Sequence, residues 1–360
     1  MSDLLAALAP ATRPRTLSSF EFWPGWIFYT PVVLFWILLG LRHRSFTLPT
    51  AANPGVETGG LCGERKSTLL DQAGPEARAW IAPYVVFQTG TDDLSRAQQA
   101  LDAAGLRLPL VVKPDIGCNG TGVRLVETPG ALAESLAAFP RDVALVLQEL
   151  VPFDGEAGIF YMRAPGAAIG EVTSLTLKQA PILTGDGHSS IRQLILQDER
   201  SRLIPELYMP RLAGRLDEVL AAGERFRLVF AGNHCKGSIF SDGANEITRA
   251  LTSRVDAIMQ DIPDFHFGRL DVRFESSAAL RAGERFRIIE INGVGSEATH
   301  IWDPGTTLRA AYLDQFRHYR RAFEFGAMMR ARGARPSGVR ELFSYWRLQR
   351  RLMASYPLND

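Results

Sequence analysis

Cysteine is scarce in this sequence of 360 residues, and the three cysteines, Cys62, Cys118 and Cys235, lie far apart. An odd number of widely spaced cysteines gives neither a disulfide framework nor the spacing of a zinc site. We therefore interpret them as reduced thiols in a cytosolic compartment. The first 20 residues also lack a signal-peptide cleavage pattern. A composition of 46% apolar and 22% charged residues excludes the disordered and collagen-like classes.

Negative charge is sparse at the C-terminal end. Residues 309–360 hold eleven arginines and no lysine against four acidic residues, a net charge of +7 in a chain of net charge +1, so residues 1–308 carry −6. Within this end, residues 340–353 predict a helix with apolar side chains on one side and arginines largely on the other. Such a helix lies on anionic lipid or packs on its own domain, and both interpretations stay open.

One long uncharged run lies near the N-terminus. Residues 22–41 carry no formal charge, and this is roughly the length at which a helix crosses a bilayer. Pro24 and Pro31 are expected to bend the run, and its tryptophans suit a membrane interface. Four interpretations stay open: a kinked span, a re-entrant hairpin, an in-plane anchor and an apolar arm buried against the domain. A span would place the basic residues 42–44 and the following domain on the cytoplasmic side.

Beyond Pro54 the residue pattern is that of an α/β protein. Turn residues and caps separate short apolar runs from longer amphipathic ones. Helices are predicted at 64–72, 92–104, 129–139 and from 190 toward 200, and strands at 84–88, 108–112, 123–126 and 143–147.

Two further strand-like runs, FGRLDVRFE (267–275) and RFRIIEING (285–293), carry the polar residues of greatest interest. Because strand side chains alternate between faces, Asp271, Glu290 and Asn292 converge if the runs pair as a hairpin, with Ile289 and Ile291 opposite. Two carboxylates and an amide oxygen are hard ligands that suit Mg²⁺. The alternative is a solvated hairpin face with arginine–acid pairs.

A glycine-rich loop follows the strand that ends at Lys113. Glycines at 117, 120 and 122 let backbone N–H groups approach phosphate oxygens, and the lysine adds a cation. The chain then returns to a strand rather than to a helix, which excludes a Walker motif and a dinucleotide fingerprint. A plain glycine-rich hairpin is the alternative.

Five segments follow one another in the order of ATP-grasp enzymes: GERKSTLLDQAG, VVKP with its glycine hairpin, QELVPFDGE, GRLDV and IIEING. The chain resembles the D-alanine–D-alanine ligase branch of that superfamily over about residues 60–305. TGDGHSSIRQLI, at 184–195, is similar to a segment of cyanophycin synthetase. The resemblance implies an α/β ATP-grasp fold of two lobes that clasp ATP, here preceded by an apolar, membrane-associated segment.

The resemblance also implies residue roles in nucleotide binding. The phosphates would be held by Lys66, Lys113 and Lys178, with the hairpin containing Gly117, Gly120 and Gly122 closing over them. The adenine would be read by Gln148, Glu149 and Val151, and the ribose by Glu156. In PFDG, which precedes Glu156, this sequence has one residue more than the family pattern.

At the reaction centre, the resemblance implies catalytic roles for Arg269, Lys178 and Lys236, and Mg²⁺ binding by Asp271, Glu290 and Asn292. His234, beside Lys236, is a further candidate for contact with the substrate carboxylate or an acyl phosphate. The candidates for contact with the second substrate are Ser296, Glu297, Thr299 and His300. A structural role is the alternative for each of these loop residues.

The family implies an ATP-dependent ligase that joins a carboxylate to an amine through an acyl phosphate and releases ADP and phosphate. An ATP-grasp phosphotransferase and a non-catalytic ATP-binding membrane scaffold are the alternatives. Expected partners are small-molecule or lipid-linked substrates and an anionic membrane surface. No nucleic acid is expected as a partner, and an oligomer of the chain stays possible. The expected location is the cytoplasmic face of the inner membrane, or the cytoplasm if the apolar segment is buried.

The family's usual N-terminal substrate domain has no room before Lys66. We divide the chain into an N-terminal tail (1–20), an apolar segment (21–44), a linker (45–59), an ATP-grasp domain (60–307) and basic C-terminal helices (308–360). The apolar segment thus occupies the place of the substrate domain, and this difference leaves D-alanine specificity without support.

Overall fold

The computed structural model describes residues 17–230, 232–234 and 237–358, so most of the predicted N-terminal tail and the candidate Lys236 lie outside the described residues. The α-helices in chain order are α1 (Gly25–His43), α2 (Lys66–Asp71), α3 (Pro75–Arg78), α4 (Asp93–Ala103), α5 (Pro129–Ala138), α6 (Ile191–Gln197), α7 (Pro205–Tyr208), α8 (Arg249–Gln260), α9 (Ser277–Arg281), α10 (Leu308–Ala331) and α11 (Val339–Met353). The strands are β1 (Tyr84–Gln88), β2 (Leu110–Pro114), β3 (Arg124–Val126), β4 (Ala144–Glu149), β5 (Gly155–Met162), β6 (Glu171–Gln179), β7 (Ile182–Thr184), β8 (Arg225–Arg227), β9 (Ile239–Asp242), β10 (Phe267–Phe274) and β11 (Phe286–Asn292). The α/β class expected from the sequence is confirmed.

The first sheet has the strand order β1-β4-β2-β3, and all its neighbours are antiparallel. Val112 and Leu147 are buried in its core together with side chains of α4 and α5. Because strand side chains alternate between faces, Lys113 and Gln148 lie on the opposite face, where they bond to each other. The hydrophobic pattern of two strands therefore decides where a buried lysine is placed.

The second sheet has the order β11-β10-β5-β6-β9 and is also antiparallel. One of its faces packs on α8, with Leu270 and Val272 of β10 fully buried. The predicted hairpin of β10 and β11 is confirmed, with Asp271 opposite Glu290 and Arg269 opposite Asn292. The connection between β10 and β11 contains the short helix α9.

A bulge in β11 corrects one part of the predicted hairpin. The pairing steps from Asp271↔Glu290 to Val272↔Ile288, which leaves Ile289 without a partner across the strand. Because β11 has one residue more than β10 at this point, the alternation of its side chains between the two faces of the sheet is interrupted. Ile289 therefore lines the cavity between the sheets, where the alternation had predicted the face away from Glu290. Ile288 and Ile291 are in the core.

Helix α1 packs one side against α10 and leaves the other side exposed. Phe28, Val32 and Leu39 are buried, whereas Trp26 is 75% and Leu38 is 63% exposed. The helix continues through Pro31, where a bend was expected. In the described part of the chain it is the one helix long and apolar enough to cross a membrane, which by itself is weak evidence for a span. The structure thus shows neither a fully buried arm nor a helix free of the domain.

Helix α11 lies across the loop before α2 and the glycine hairpin between β2 and β3. The Gln349 side chain accepts a hydrogen bond from the backbone of Gly63 at 3.1 Å. Beyond the helix, the Tyr356 hydroxyl donates to the carbonyl of Ile116 at 2.9 Å, and its ring packs against Phe139. Among its described residues none is fully buried, and Phe343 and Trp346 are largely exposed. The helix therefore packs on its own domain and keeps an apolar outer edge.

Candidate functional site

A cavity of about 610 Å³ lies between the two sheets. It brings together almost all the site residues predicted from the sequence: Lys66, Lys113, Gly117, Gly120, Gln148, Glu149, Val151, Glu156, Lys178, Arg269, Asp271, Glu290 and Asn292. Gly122 is not among its lining residues. Its φ of +73° suits glycine, and it packs against Phe139 and Pro114, so its role is to turn the hairpin.

Lys66 is placed by a connection between two segments that are far apart in sequence. The Asp115 carboxylate accepts hydrogen bonds from the Ser67 backbone and hydroxyl at 2.8 and 2.9 Å, and the Asp115 carbonyl accepts from Lys66 N at 2.9 Å. These bonds satisfy donors in the first turn of α2, which would otherwise be unpaired. The Lys66 ammonium then lies 2.7 Å from the carbonyl of Gly117 and 3.6 Å from the Glu290 carboxylate.

Lys113 is buried and held by two oxygens. Its ammonium donates to Gln148 Oε1 at 2.8 Å and to the carbonyl of Ile289, the bulge residue of β11, at 2.7 Å. Burial lowers the pKa of Lys113 to about 8, although Glu290 acts in the opposite direction. The bulge thus supplies the oxygen that links the lysine of the first sheet to the second sheet.

Asp271 is surrounded by two cations. Arg269 donates to both of its carboxylate oxygens, at 2.8 and 3.1 Å, and the Lys178 ammonium lies 3.0 Å from Oδ1. Burial alone would raise the pKa of Asp271, but Arg269 and Lys178 outweigh burial and lower the pKa to about 2. Lys178 also lies 3.6 Å from Glu156. The carboxylate is therefore ionised throughout the physiological range.

Asp271, Glu290 and Asn292 form a donor set suited to a divalent cation that arrives with a nucleotide. Asp271 and Glu290 are directly opposite in the strand pairing, and the buried amide nitrogen of Asn292 has no hydrogen-bond partner. An unpaired buried N–H donor is unusual and suits a ligand oxygen such as that of a phosphate, whereas a cation would be bound by the amide oxygen. Oxygen donors from two carboxylates and an amide suit Mg²⁺ when water and phosphate supply the remaining ligands. Within the described residues no group of three or more His, Cys, Asp or Glu side chains is placed to hold a metal by itself.

The end of β4 and the segment that follows it join the two sheets and carry the residues expected to read adenine. Gln148 accepts from Lys113 and donates to the carbonyl of Ala82 at 3.1 Å. The carbonyl of Val151 accepts from the Arg273 guanidinium at 2.9 Å. Glu156, the candidate for ribose binding, is buried beside Gly232. A Cβ atom at position 232 would lie only 2.0 Å from the Glu156 carboxylate. The glycine therefore lets the 232–234 loop cover this end of the cavity.

The far end of the cavity contains the residues predicted to meet the second substrate. Ser296, Glu297 and Thr299 line it, whereas His300 does not and instead lies 3.2 Å from Asp314 of α10. His234 also lines the cavity, stacked on Trp302 at 4.6 Å between ring centroids. Burial lowers the pKa of His234, so the ring is neutral at pH 7.

Some cavity residues were not predicted. Tyr29 of α1 donates from its hydroxyl to Glu297 at 3.0 Å, and Trp302 donates from Nε1 to the same carboxylate at 3.0 Å. Glu64, next to the loop before α2, also lines the cavity, and burial raises its pKa. The only sequence signal for Tyr29 was a tyrosine in an apolar run, which equally suits a membrane interface.

The segment TGDGHSSIRQLI forms a small unit with the two-stranded sheet of β7 and β8. Asp186 accepts hydrogen bonds from the backbone and hydroxyl of Ser189, both at 2.6 Å, which lowers its pKa. Ser190 and Gln193 form a capping box that starts α6. A buried core of its own, including Ile191 and Tyr208, holds the unit together. None of the segment's residues is among those that line the cavity.

No protein-family model and no curated protein matches this sequence. Solved structures similar to the chain include the D-alanine–D-alanine ligase from Bacillus anthracis complexed with ATP, with 14% identity, a TM-score of 0.42, and coverage of 76% of this chain and 69% of that one. The VanG D-Ala:D-Ser ligase from Enterococcus faecalis has 14% identity, a TM-score of 0.40 and coverage of 72% and 62%. A bifunctional glutathione synthetase from Pasteurella multocida has 16% identity, a TM-score of 0.39 and coverage of 72% and 36%, so the chain spans about a third of its length.

Proposed function

We propose that this chain is an ATP-dependent ligase that joins a carboxylate to an amine, with release of ADP and phosphate. The observation that carries the proposal is the convergence of Lys66, Lys113, Lys178 and Arg269 on one cavity, around Asp271 and its neighbouring acids. Cations placed in advance around a partly closed site stabilise the charge of a transferring phosphoryl group. A purely structural role does not require several lysines around one cavity.

In the first step, an oxygen of the substrate carboxylate attacks the γ-phosphorus of ATP, and the bond to ADP breaks. Lys113 of the first sheet and Lys66 at the start of α2 hold phosphate oxygens, while Lys178 and Arg269 act from the second sheet. Asp271 keeps Lys178 and Arg269 in position through the contacts of 2.8 to 3.1 Å. Asp271, Glu290 and Asn292 would hold Mg²⁺, which when bound neutralises phosphate charge.

In the second step, the amine nitrogen attacks the carbonyl carbon of the acyl phosphate, phosphate leaves, and the amine loses a proton. Water must be excluded because it would hydrolyse the acyl phosphate. The glycine hairpin and the 232–234 loop cover the cavity from two sides, a gating role common to loops of this kind. Lys236 lies outside the described residues, and its catalytic role remains part of the proposal.

We place the reaction at the cytoplasmic face of a membrane. The support is the exposed apolar side of α1, where Val33, Leu34 and Leu41 are each more than half exposed. Large exposed apolar patches mark interaction sites, and the basic C-terminal end favours an anionic surface. Lipid-linked substrates follow from this placement.

The test is a screen of the full chain for ADP and phosphate release with ATP, Mg²⁺ and pooled carboxylates and amines, including phospholipid and glycolipid extracts. Hydroxylamine serves as a neutral nucleophile that converts an acyl phosphate to a hydroxamate. We expect ADP and phosphate in equal amounts, and only when a carboxylate is present.

The same screen separates the ligase from the phosphotransferase. A phosphotransferase leaves the phosphoryl group on its product, so ADP would form without free phosphate or hydroxamate. That result would replace the proposed function while keeping the nucleotide site. Absence of both ATP binding and ADP formation in all pools would remove the site as well.

A further inference from the structure

We propose that the far end of the cavity, around Glu297, is a binding site for the ammonium group of an amphiphilic primary amine. The inference rests on the proposed function only in naming this amine as the second substrate. The site is built from Tyr29, His234, Phe240, Glu297 and Trp302, which all line the cavity.

The first support is a carboxylate that is held in place but not neutralised. Three neutral donors, the Tyr29 hydroxyl, Trp302 Nε1 and the Gln315 amide, hydrogen-bond to the Glu297 carboxylate. Among the described residues Glu297 forms no ion pair, although Arg269 donates to its backbone carbonyl at 3.1 Å. A partly buried anion without a cation partner is a favourable position for a cationic ligand.

The second support is the aromatic character of the surrounding wall. Trp302 stacks on His234 at 4.6 Å between ring centroids, and Phe28 packs against Trp302 at 4.8 Å with its ring tilted by 43°. Burial lowers the pKa of His234, so this ring adds no positive charge that would repel an ammonium group. Aromatic faces attract cations, and the attraction grows when water is excluded. The chemistry of the wall and of the carboxylate thus favours the same ligand class.

The third support is the path from this site to the protein surface. Trp26 and Val33 lie three residues before and four residues after Tyr29, so the three share one side of α1. Trp26 is 75% and Val33 is 53% exposed, whereas the Tyr29 hydroxyl reaches Glu297 inside the cavity. An amine bound at Glu297 can therefore extend an alkyl chain past Tyr29 onto the apolar side of α1. Helix α1 contributes a wall of the site as well as an apolar surface.

The test is calorimetric titration of the full chain with n-octylammonium, ethylammonium and n-octanol, each with and without a non-hydrolysable ATP analogue. We expect n-octylammonium to bind about tenfold more tightly than n-octanol, because a charged hydrogen bond is lost in the alcohol. It should also bind at least about tenfold more tightly than ethylammonium, because its additional methylenes are partly buried.

Variants locate the binding. Glu297→Gln should reduce n-octylammonium affinity to that of n-octanol, and the matched control Glu275→Gln, at an exposed position paired with Arg285, should change nothing. Tyr29→Phe keeps the carboxylate but removes one of its donors, and should weaken binding by about threefold. Val33→Ser should weaken the binding of n-octylammonium but not that of ethylammonium. Leu41→Ser, near the end of α1, should leave the binding of both probes unchanged.

Equal affinity for n-octylammonium and n-octanol would overturn the cation site, and so would an unchanged affinity in Glu297→Gln. If Glu297→Gln does not fold, the comparison of the charged and uncharged probes on the unmodified chain decides the point. Equal affinity for n-octylammonium and ethylammonium would overturn the apolar path. Binding of the ATP analogue, measured alone, reports on the nucleotide site, so failure of the proposed function is distinguished from failure of this inference.

Discussion

At the scale of single residues, lysine is the informative type in this chain. Of its 40 basic residues only four are lysines, and Lys66, Lys113 and Lys178 line one cavity. The fourth, Lys236, lies outside the described residues. Arginine keeps its charge in almost any environment, whereas a buried lysine changes its pKa readily. The charge of this cavity therefore depends on pH in a way that the arginine-rich surface does not.

Lys113 gives a pH prediction. Its pKa of about 8 means that the ammonium is charged below pH 8 and loses its charge above it. ATP affinity should therefore fall as the pH rises from 7 to 9.5, with most of the loss above pH 8. Equilibrium binding of ATP across this range checks the prediction. Lys113→Ala should bind ATP about tenfold more weakly at pH 7 and lose most of this pH dependence, since the ammonium whose pKa is lowered to about 8 is removed. An equally steep profile in the variant would contradict the assignment.

Asp271 gives a second prediction at this scale. Asp271→Asn removes the carboxylate that positions Arg269 and Lys178. Turnover in the ADP-release assay should fall by at least about 100-fold, a typical loss when a preorganised electrostatic group is removed. ATP binding should change much less, because Lys66 and Lys113 remain. Glu275→Gln is the control, at an exposed position just after the same strand. Full turnover in Asp271→Asn would contradict the role of this carboxylate in positioning Arg269 and Lys178.

At the scale of elements, local patterns predict strands and helices well. Strand β1 has the predicted bounds, and the facing of Asp271 toward Glu290 follows from alternation alone. The bulge at Ile289 could not be predicted, because pairing between two strands, not the sequence of one, determines it. The bond from Asp115 to Ser67 was equally hidden, since it joins residues 48 positions apart. Tyr29 was missed because a uniformly apolar run does not show which side faces a cavity.

Helix α11 provides a prediction about an element. It contacts the loop at Gly63 through Gln349, and Tyr356 beyond it bonds to Ile116 at the base of the glycine hairpin. Deleting residues 339–360 should make the backbone amides of 116–122 exchange hydrogen faster, because these contacts limit local opening. Hydrogen exchange followed by mass spectrometry measures the effect. The control is Phe343→Ser on the exposed side of α11, which should leave exchange in the hairpin unchanged. Unchanged exchange after the deletion would show that the hairpin is ordered without α11.

At the scale of the whole molecule, the distribution of charge and apolar surface is uneven. Residues 309–360 carry a net charge of +7 against −6 for the rest of the sequence, and the exposed apolar side chains of α1 lie near the other end of the chain. Electrostatic attraction to a membrane is screened by salt, whereas burial of apolar surface is not. The two contributions can therefore be separated by experiment.

Vesicle binding tests this arrangement. The chain should bind vesicles containing about 30% phosphatidylserine more tightly than neutral ones, with a preference that declines between 50 and 500 mM salt, over which the screening length falls to a few ångströms. Sedimentation of protein with vesicles measures the partition. Replacing Leu34 and Leu38 by serine should reduce partition at both salt concentrations and leave the melting temperature nearly unchanged, because both side chains are more than half exposed. Equal partition of the variant would exclude α1 from the contact.

The buried pair of Glu21 and Arg200 bears on how such a contact would form. Glu21 comes just before α1, and its carboxylate meets Arg200 at 2.5 Å with side-chain exposures of 2% and 6%. If α1 were drawn away into a bilayer together with Glu21, this buried ion pair would break, at a cost of about 3 to 5 kcal/mol. The helix is thus fixed to the body of the protein. A bilayer would have to accept the whole molecule at its surface, and the depth of the cavity below the headgroups would then be set by the protein.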